Sequence, residues 1–184
     1  MLQLTGTPAA AGCAKAQHNL GCCHEMGTGG IAKDIDTAFR LYTKSAAAGH
    51  PDGMYDLGCC YGGGKGVPQD DIVAFSWFMK AAAAGCVRAQ GSVGDCFAEG
   101  TGVVQDVTQA TRWYTKASEG GDVGALFSLG LLCLDKEPQD LMGAVEWWRR
   151  AAAAGHGPAM IALVNLRDTV RERAGPPQPE KAAK

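Results

Sequence analysis

His18, Cys22, Cys23 and His24 stand together near the start of the chain, and imidazole with thiolate is the ligand chemistry of soft divalent metals. His18 and Cys22 are four residues apart, so on a helix they share a face. A four-ligand site would need a further group from a neighbouring helix, for which Cys59 is a candidate. No second pair of zinc-type spacing occurs, and thiols packed at a helix interface account for the same residues, so no metal and no cofactor is expected. Lys65 lies in Gly62-Gly63-Gly64-Lys65-Gly66, a run with the look of a phosphate loop. No Ser or Thr follows the lysine, no apolar strand precedes it, and the loop recurs without lysine, which argues against nucleotide binding. His50 and His156 follow glycines at matching places but lie three repeat units apart, too far for a catalytic dyad. No Ser-x-x-Lys element stands in a context that supports acyl transfer, and no catalytic residue is expected.

The pattern that must position these residues is a repeat. The blocks Ala46-Ala47-Ala48-Gly49-His50, Ala82-Ala83-Ala84-Gly85-Cys86, Ser118-Glu119-Gly120-Gly121-Asp122 and Ala152-Ala153-Ala154-Gly155-His156 recur about every 36 residues, and Gly12 extends the series backwards. A fixed period of this size means a solenoid of one repeated supersecondary unit, with a long surface for a partner in place of a deep pocket.

In the second unit, Gly53, Leu57 and Tyr61 recur at helical spacing. Gly58 falls within that first helix, with Gly21, Gly94 and Gly130 at equivalent positions. A mid-helix glycine costs about 1 kcal/mol against alanine, so its repetition implies a close approach by a neighbouring helix. Glycine-rich loops follow, with a lone Ile or Val available to plug the end of the helix pair. Asp34, Asp70, Asp106 and Asp140 then suit N-caps of the second helices. Those helices carry Ala38, Leu41 and Tyr42; Ala74, Trp77 and Phe78; Ala110, Trp113 and Tyr114; Ala144, Trp147 and Trp148 as apolar faces. Gly49, Gly85 and Gly155 suit left-handed turns past their ends.

The succession of these residues resembles the Sel1-like repeat, a relative of the tetratricopeptide repeat, from residue 10 to about 168. The resemblance implies an all-α, right-handed α/α solenoid of helix-turn-helix repeats, with units near 13–49, 50–85, 86–121 and 122–155 and a capping helix at 157–172. Residues 1–8 form an N-terminal segment or degenerate cap, and Ala9-Ala10-Ala11-Gly12 reads as the tail of a second helix whose body is missing. Unit four loses its glycine loop to Leu134–Gln139, which points to a tighter, more helical connection. Residues 173–184, with Pro176-Pro177-Gln178-Pro179, read as a disordered tail.

Some cysteine-rich secreted relatives are associated with β-lactam binding or hydrolysis. The disulfide positions that this resemblance implies are Ala46, Ala82, Ser118 and Ala152 against Gln17, Met54, Gln90 and Leu126, and none is cysteine. The eight cysteines include two adjacent pairs on predicted helices, whose neighbours point about 100° apart. Reduced structural thiols in a reducing, intracellular compartment fit best, with an extracytoplasmic location left open. No signal-peptide pattern and no run of 18 apolar residues is present. A net charge of −2 and a sequence pI near 6.1 leave no electrostatic footprint for nucleic acid.

The resemblance places the first helices along a concave face. By register its inward residues are Lys15, His18, Cys22 and Glu25; Asp52, Tyr55 and Cys59; Arg88, Asp95 and Glu99; Phe127, Leu131 and Asp135; and Ile161, Asn165 and Asp168. Aromatic anchors among both charge signs suit a peptide or helix of a protein partner. Phe127, Leu131 and Ile161 would serve equally to complete the core. The function implied is a non-enzymatic adaptor. The alternatives are a cysteine-rich enzyme or small-molecule binder, and a segment of a larger scaffold that self-associates through its N-terminal end.

Overall fold

Helix boundaries in this chain are set by short-range signals. The Asp34, Asp70, Asp106 and Asp140 carboxylates accept the backbone N–H of Thr37, Val73, Gln109 and Gly143, three residues on. Aspartate is among the residues most favoured at this position, because its carboxylate satisfies an N–H that the helix leaves unpaired. At the other ends the chain turns through Gly49, Gly85, Gly121 and Gly155, with φ of 84°, 90°, 94° and 86°. The N–H of His50, Cys86, Asp122 and His156 then returns to the carbonyls of Ser45, Ala81, Ala117 and Ala151. His50 and His156 go on to cap the next helix, their Nδ1 atoms accepting the N–H of Gly53 and Ala159 at 3.3 Å.

The computed structural model describes the backbone of residues 8–135 and 139–174, and side chains within 13–135 and 139–167. The helices are α1 (Pro8–Met26), α2 (Ile35–Ala47), α3 (Pro51–Gly63), α4 (Asp71–Ala83), α5 (Val87–Glu99), α6 (Val107–Glu119), α7 (Val123–Leu134), α8 (Leu141–Ala153) and α9 (Gly157–Ala174). The described residues include no strand. The architecture is the expected all-α solenoid: four helix pairs and a C-terminal helix. The chain forms two compact units, Met1–Asp122 with α1–α6 and Val123–Lys184 with α7–α9. No described helix is long and apolar enough to cross a membrane.

Within each pair an aromatic ring of the second helix lies against a glycine of the first. A Cβ added at Gly21, Gly58 or Gly94 would come within 2.6 Å of the ring of Tyr42, Phe78 or Tyr114, and one at Gly130 would run into the Trp148 indole. Three of these rings are buried and tethered. Tyr42 and Tyr114 donate their hydroxyls to Glu25 and Asp95 at 2.8 Å, and the Trp148 Nε1–H donates to the Phe127 carbonyl at 3.1 Å. Around these rings, Ala38, Ala46, Leu57 and Cys60 form one core cluster, and Ala81, Ala82, Cys86, Ala89 and Val93 another. Val67 of the glycine loop packs against the first. In the second unit Leu126, Ala151 and Ala159 surround Trp148.

Ala9-Ala10-Ala11-Gly12 is not the tail of a separate second helix; it is continuous with α1. Alanine is the best helix former, and Pro8 is suited to a first helical position, so the run extends the helix that follows it. The C-terminal helix reaches Ala174, two residues into the stretch expected to be disordered. The unit-four connection at 136–138, the segment 1–7 and the tail from 175 lie outside the described residues. All eight cysteines are free thiols, and Cys60, Cys86, Cys96 and Cys133 are buried.

Gly94→Ala tests the contact between ring and glycine. On an open helix face this change would stabilise by about 1 kcal/mol. Against a buried, tethered Tyr114 the added methyl costs about 1–3 kcal/mol. Urea unfolding should therefore show Gly94→Ala less stable than the parent; a gain would mean that the ring gives way.

Candidate functional site

Helical spacing puts His18, Cys22 and Glu25 on one face of α1, and Asp52, Tyr55, Asp56 and Cys59 on one face of α3. Arg88 on α5 follows Asp52 by one 36-residue period. These side chains form a continuous polar seam across the three first helices of the Met1–Asp122 unit. The Arg88 guanidinium lies 3.3 Å from Asp52 Oδ1 and 3.9 Å from Asp56 Oδ1, and it covers the Tyr55 ring at 4.4 Å. The second Asp56 oxygen meets His18 Nε2 at 2.7 Å, and Cys22 Sγ lies 3.5 Å from the same nitrogen. The His18 ring stacks on His50 at 5.3 Å. Glu25 accepts from both the Tyr42 hydroxyl and the Lys65 ammonium at 2.8 Å.

Burial governs most titrations here. It pushes the Cys22 and Cys59 thiols and the Asp56 carboxyl up, and it carries the Tyr55 hydroxyl to about 12. His50 is held below the usual imidazole value, again chiefly by burial. Glu25 goes the other way, because the Lys65 hydrogen bond favours its charged form.

The neighbouring thiol and imidazole do not make a nucleophile and base. Such a pair needs a readily formed thiolate, whereas burial raises the Cys22 thiol. It also needs the orienting carboxylate on the ring nitrogen away from the thiol. Here Asp56 and Cys22 both approach Nε2, and Nδ1 faces the Asn19 side-chain oxygen at 3.3 Å. The three groups that could hold a metal are thus His18, Cys22 and Asp56, with ligand atoms within 4.8 Å of one another. Cys23, His24 and Cys59 do not join this group; His24 Nδ1 is buried with no hydrogen-bond partner among the described residues.

Of the other residues placed by register in this unit, Lys15 and Glu99 are exposed and Asp95 is engaged by Tyr114. In the Val123–Lys184 unit, Phe127 stacks on Trp148 at 5.9 Å, meets the His156 ring at a tilt at 5.1 Å and packs against the core. Leu131 is 43% exposed and Ile161 63%, and Asp135 and Asn165 are also exposed. The Asp168 side chain lies outside the described residues. Sequence reasoning missed Asp56, Tyr42 and His50 as members of the seam, and it weighed Lys65 only as a phosphate ligand. A signal for Asp56 was present: it lies one helical turn after Asp52, facing an arginine one period on.

The Sel1 repeat family model matches residues 14–50, 51–86, 87–122 and 123–156. Among solved structures, a Sel1 repeat protein from Oxalobacter formigenes is 32% identical with a TM-score of 0.78, over 86% of this chain and 65% of that one. The protective antigen c5321 from uropathogenic Escherichia coli is 29% identical with a TM-score of 0.75, over 89% of this chain and 35% of that one. The immunity protein Pa5087 from Pseudomonas aeruginosa is 26% identical with a TM-score of 0.58, over 79% of this chain and 54% of that one. This chain therefore spans less than two thirds of the length of each. No curated protein matches it.

The Glu25–Lys65 pair carries a pH signature. The folded-state value of Glu25 is depressed, so its contribution is present above the ordinary glutamate range and is lost as pH falls through the folded value. Both side chains are partly exposed, which limits the pair to about 0.2–1 kcal/mol. Lys65→Met should lower stability by that much at neutral pH, and the difference should vanish in acid. A pH-independent difference in chemical unfolding would assign the loss to the lysine stem instead.

Proposed function

From the premise that this chain belongs to the Sel1 repeat family, we propose that it is a non-enzymatic adaptor holding a segment of another protein against the first-helix face of α1, α3 and α5. Repeats of this family generally mediate contacts between proteins, and an immunity protein among the similar structures accords with a protein partner.

The observation that carries the reading is Arg88. Its side chain is 56% exposed, yet it is held over Tyr55 and between Asp52 and Asp56. Arginine and tyrosine are the side chains that most often dominate binding energy, and a guanidinium already stacked and paired loses little freedom on binding. Lys15, Glu25 and Glu99 supply charges of both signs elsewhere on these first helices, which suits polar contacts that fix the register of a bound segment. In the other unit, exposed Leu131 and Ile161 offer apolar contacts, whereas Phe127 is committed to the packing around Trp148. The thiol-bridged enzyme reading gains nothing from eight free thiols.

The test is affinity capture from native lysate with three forms of the chain: intact, Arg88→Ala with Lys15→Glu, and Arg112→Ala on the exposed surface of α6 as control. A protein retained by the intact and control chains and lost from the double variant, with helicity unchanged by circular dichroism, is the expected result. The same profile from all three would refute the assignment of this face.

A further inference from the structure

We propose that His18, Cys22 and Asp56 form a binding site for one divalent transition-metal ion, Zn2+ by the chemistry of its donors. The inference rests on the geometry between α1 and α3 alone and is independent of the partner-binding reading.

Three donor atoms converge on one point from two helices. An imidazole nitrogen has a single in-plane direction, which serves one hydrogen or one lone pair. Both Asp56 Oδ2, at 2.7 Å, and Cys22 Sγ, at 3.5 Å, approach His18 Nε2. If Nε2 carries a hydrogen, it serves the carboxylate, and the thiol is left to the Tyr42 hydroxyl. If Nε2 is bare, it accepts from the thiol and faces the lone pairs of the carboxylate. A cation at the convergence satisfies all three donors together.

The distances fit. Zinc lies about 2.0–2.1 Å from imidazole nitrogen and about 2.3 Å from thiolate sulfur, so a tetrahedral site sets nitrogen and sulfur about 3.5 Å apart. That is the separation found between Nε2 and Sγ. The corresponding nitrogen–oxygen edge is about 3.3 Å, which asks the His18–Asp56 contact to open by about half an ångström. Spacing of four residues on one helix supplies two donors from one face, and the third comes from the adjacent helix across a fixed contact.

The surroundings also fit. His18 Nδ1 lies 3.3 Å from the Asn19 side-chain oxygen, the partner that holds the other ring nitrogen protonated and leaves Nε2 to bind metal. Arg88 approaches Oδ1 of Asp56, not the Oδ2 that faces His18. Three carboxylates, Glu25, Asp52 and Asp56, stand with two cations, Arg88 and Lys65, along this seam, and a dication would bring the charge with which a Cys22 thiolate could form. The His18 and Asp56 side chains are 13% and 15% exposed, so the donors are sheltered without being sealed from water.

The experiment titrates the full chain, reduced and stripped of metal, with Co2+ and then Zn2+. One equivalent of Co2+ should give thiolate-to-cobalt absorption with intense tetrahedral ligand-field bands, and Zn2+ should displace it. Cys22→Ser should abolish the thiolate band. Asp56→Asn, which keeps an acceptor for His18, should weaken binding at least about tenfold. Cys59→Ser should change neither. The absence of a thiolate band, its survival in Cys22→Ser, or an unchanged affinity in Asp56→Asn would overturn the proposal. Circular dichroism of each variant separates lost binding from lost fold; if Cys22→Ser unfolds, the Asp56→Asn affinity decides.

Discussion

The contact of an aromatic ring with a helix glycine is the constraint on which the rest of the structure depends. It lets the two helices of a pair approach until a Cβ has no room, and it recurs at Gly21, Gly58, Gly94 and Gly130. The same contact reaches beyond packing. Tyr42 passes over Gly21 and delivers its hydroxyl to Glu25, and Tyr114 passes over Gly94 to Asp95. Carboxylates on the first-helix face are therefore oriented from behind, by the core. Where the ring is Phe78, no hydroxyl is available, and the ring instead supports Tyr55 at 5.7 Å. Tyr55 in turn is the surface on which Arg88 lies. A polar face is thus held in place by apolar burial one layer beneath it.

Burial also decides what the cysteines are. Four are buried, and burial carries Cys60 to about 12 and Cys96 to about 11, so these thiols stay protonated and pack as small apolar groups. Cys22 differs in having an imidazole within reach. Cys59, one turn after Tyr55 on α3, remains outside that group, to which the sequence offered it only as a candidate further ligand.

The parts of the fold legible in the sequence were those specified by local chemistry. An aspartate three residues before an N–H, a glycine at a left-handed turn and a glycine within a helix each act over one turn of chain. The Ala9–Gly12 run was misread because it shares the composition of a helix end without the turn that closes one. The site was less legible. His18 and Asp56 are 38 residues apart, and Glu25 and Lys65 are 40 apart. Which of several polar groups meet across two helices depends on rotamers and helix rotation, and the repeat register leaves those open. His18, Tyr55 and Arg88 were placed on the first-helix face by the register that the family resemblance implies. Asp56 and Lys65 join them only through contacts between repeat units.

The caps have one more consequence. Because Asp34, Asp70, Asp106 and Asp140 start their helices with bonds to residues three positions ahead, and the glycine turns close theirs within a turn, each helix pair carries its own punctuation. Contacts then run mainly between neighbours in sequence, as in α1 with α2, α2 with α3 and α3 with α4. A chain built this way approximates a one-dimensional lattice, in which ordering spreads from site to adjacent site and need not wait for distant segments to meet. Loss of order can likewise begin at one edge and advance pair by pair, leaving intermediate lengths of the stack intact. For such a molecule a single melting temperature describes an average over positions.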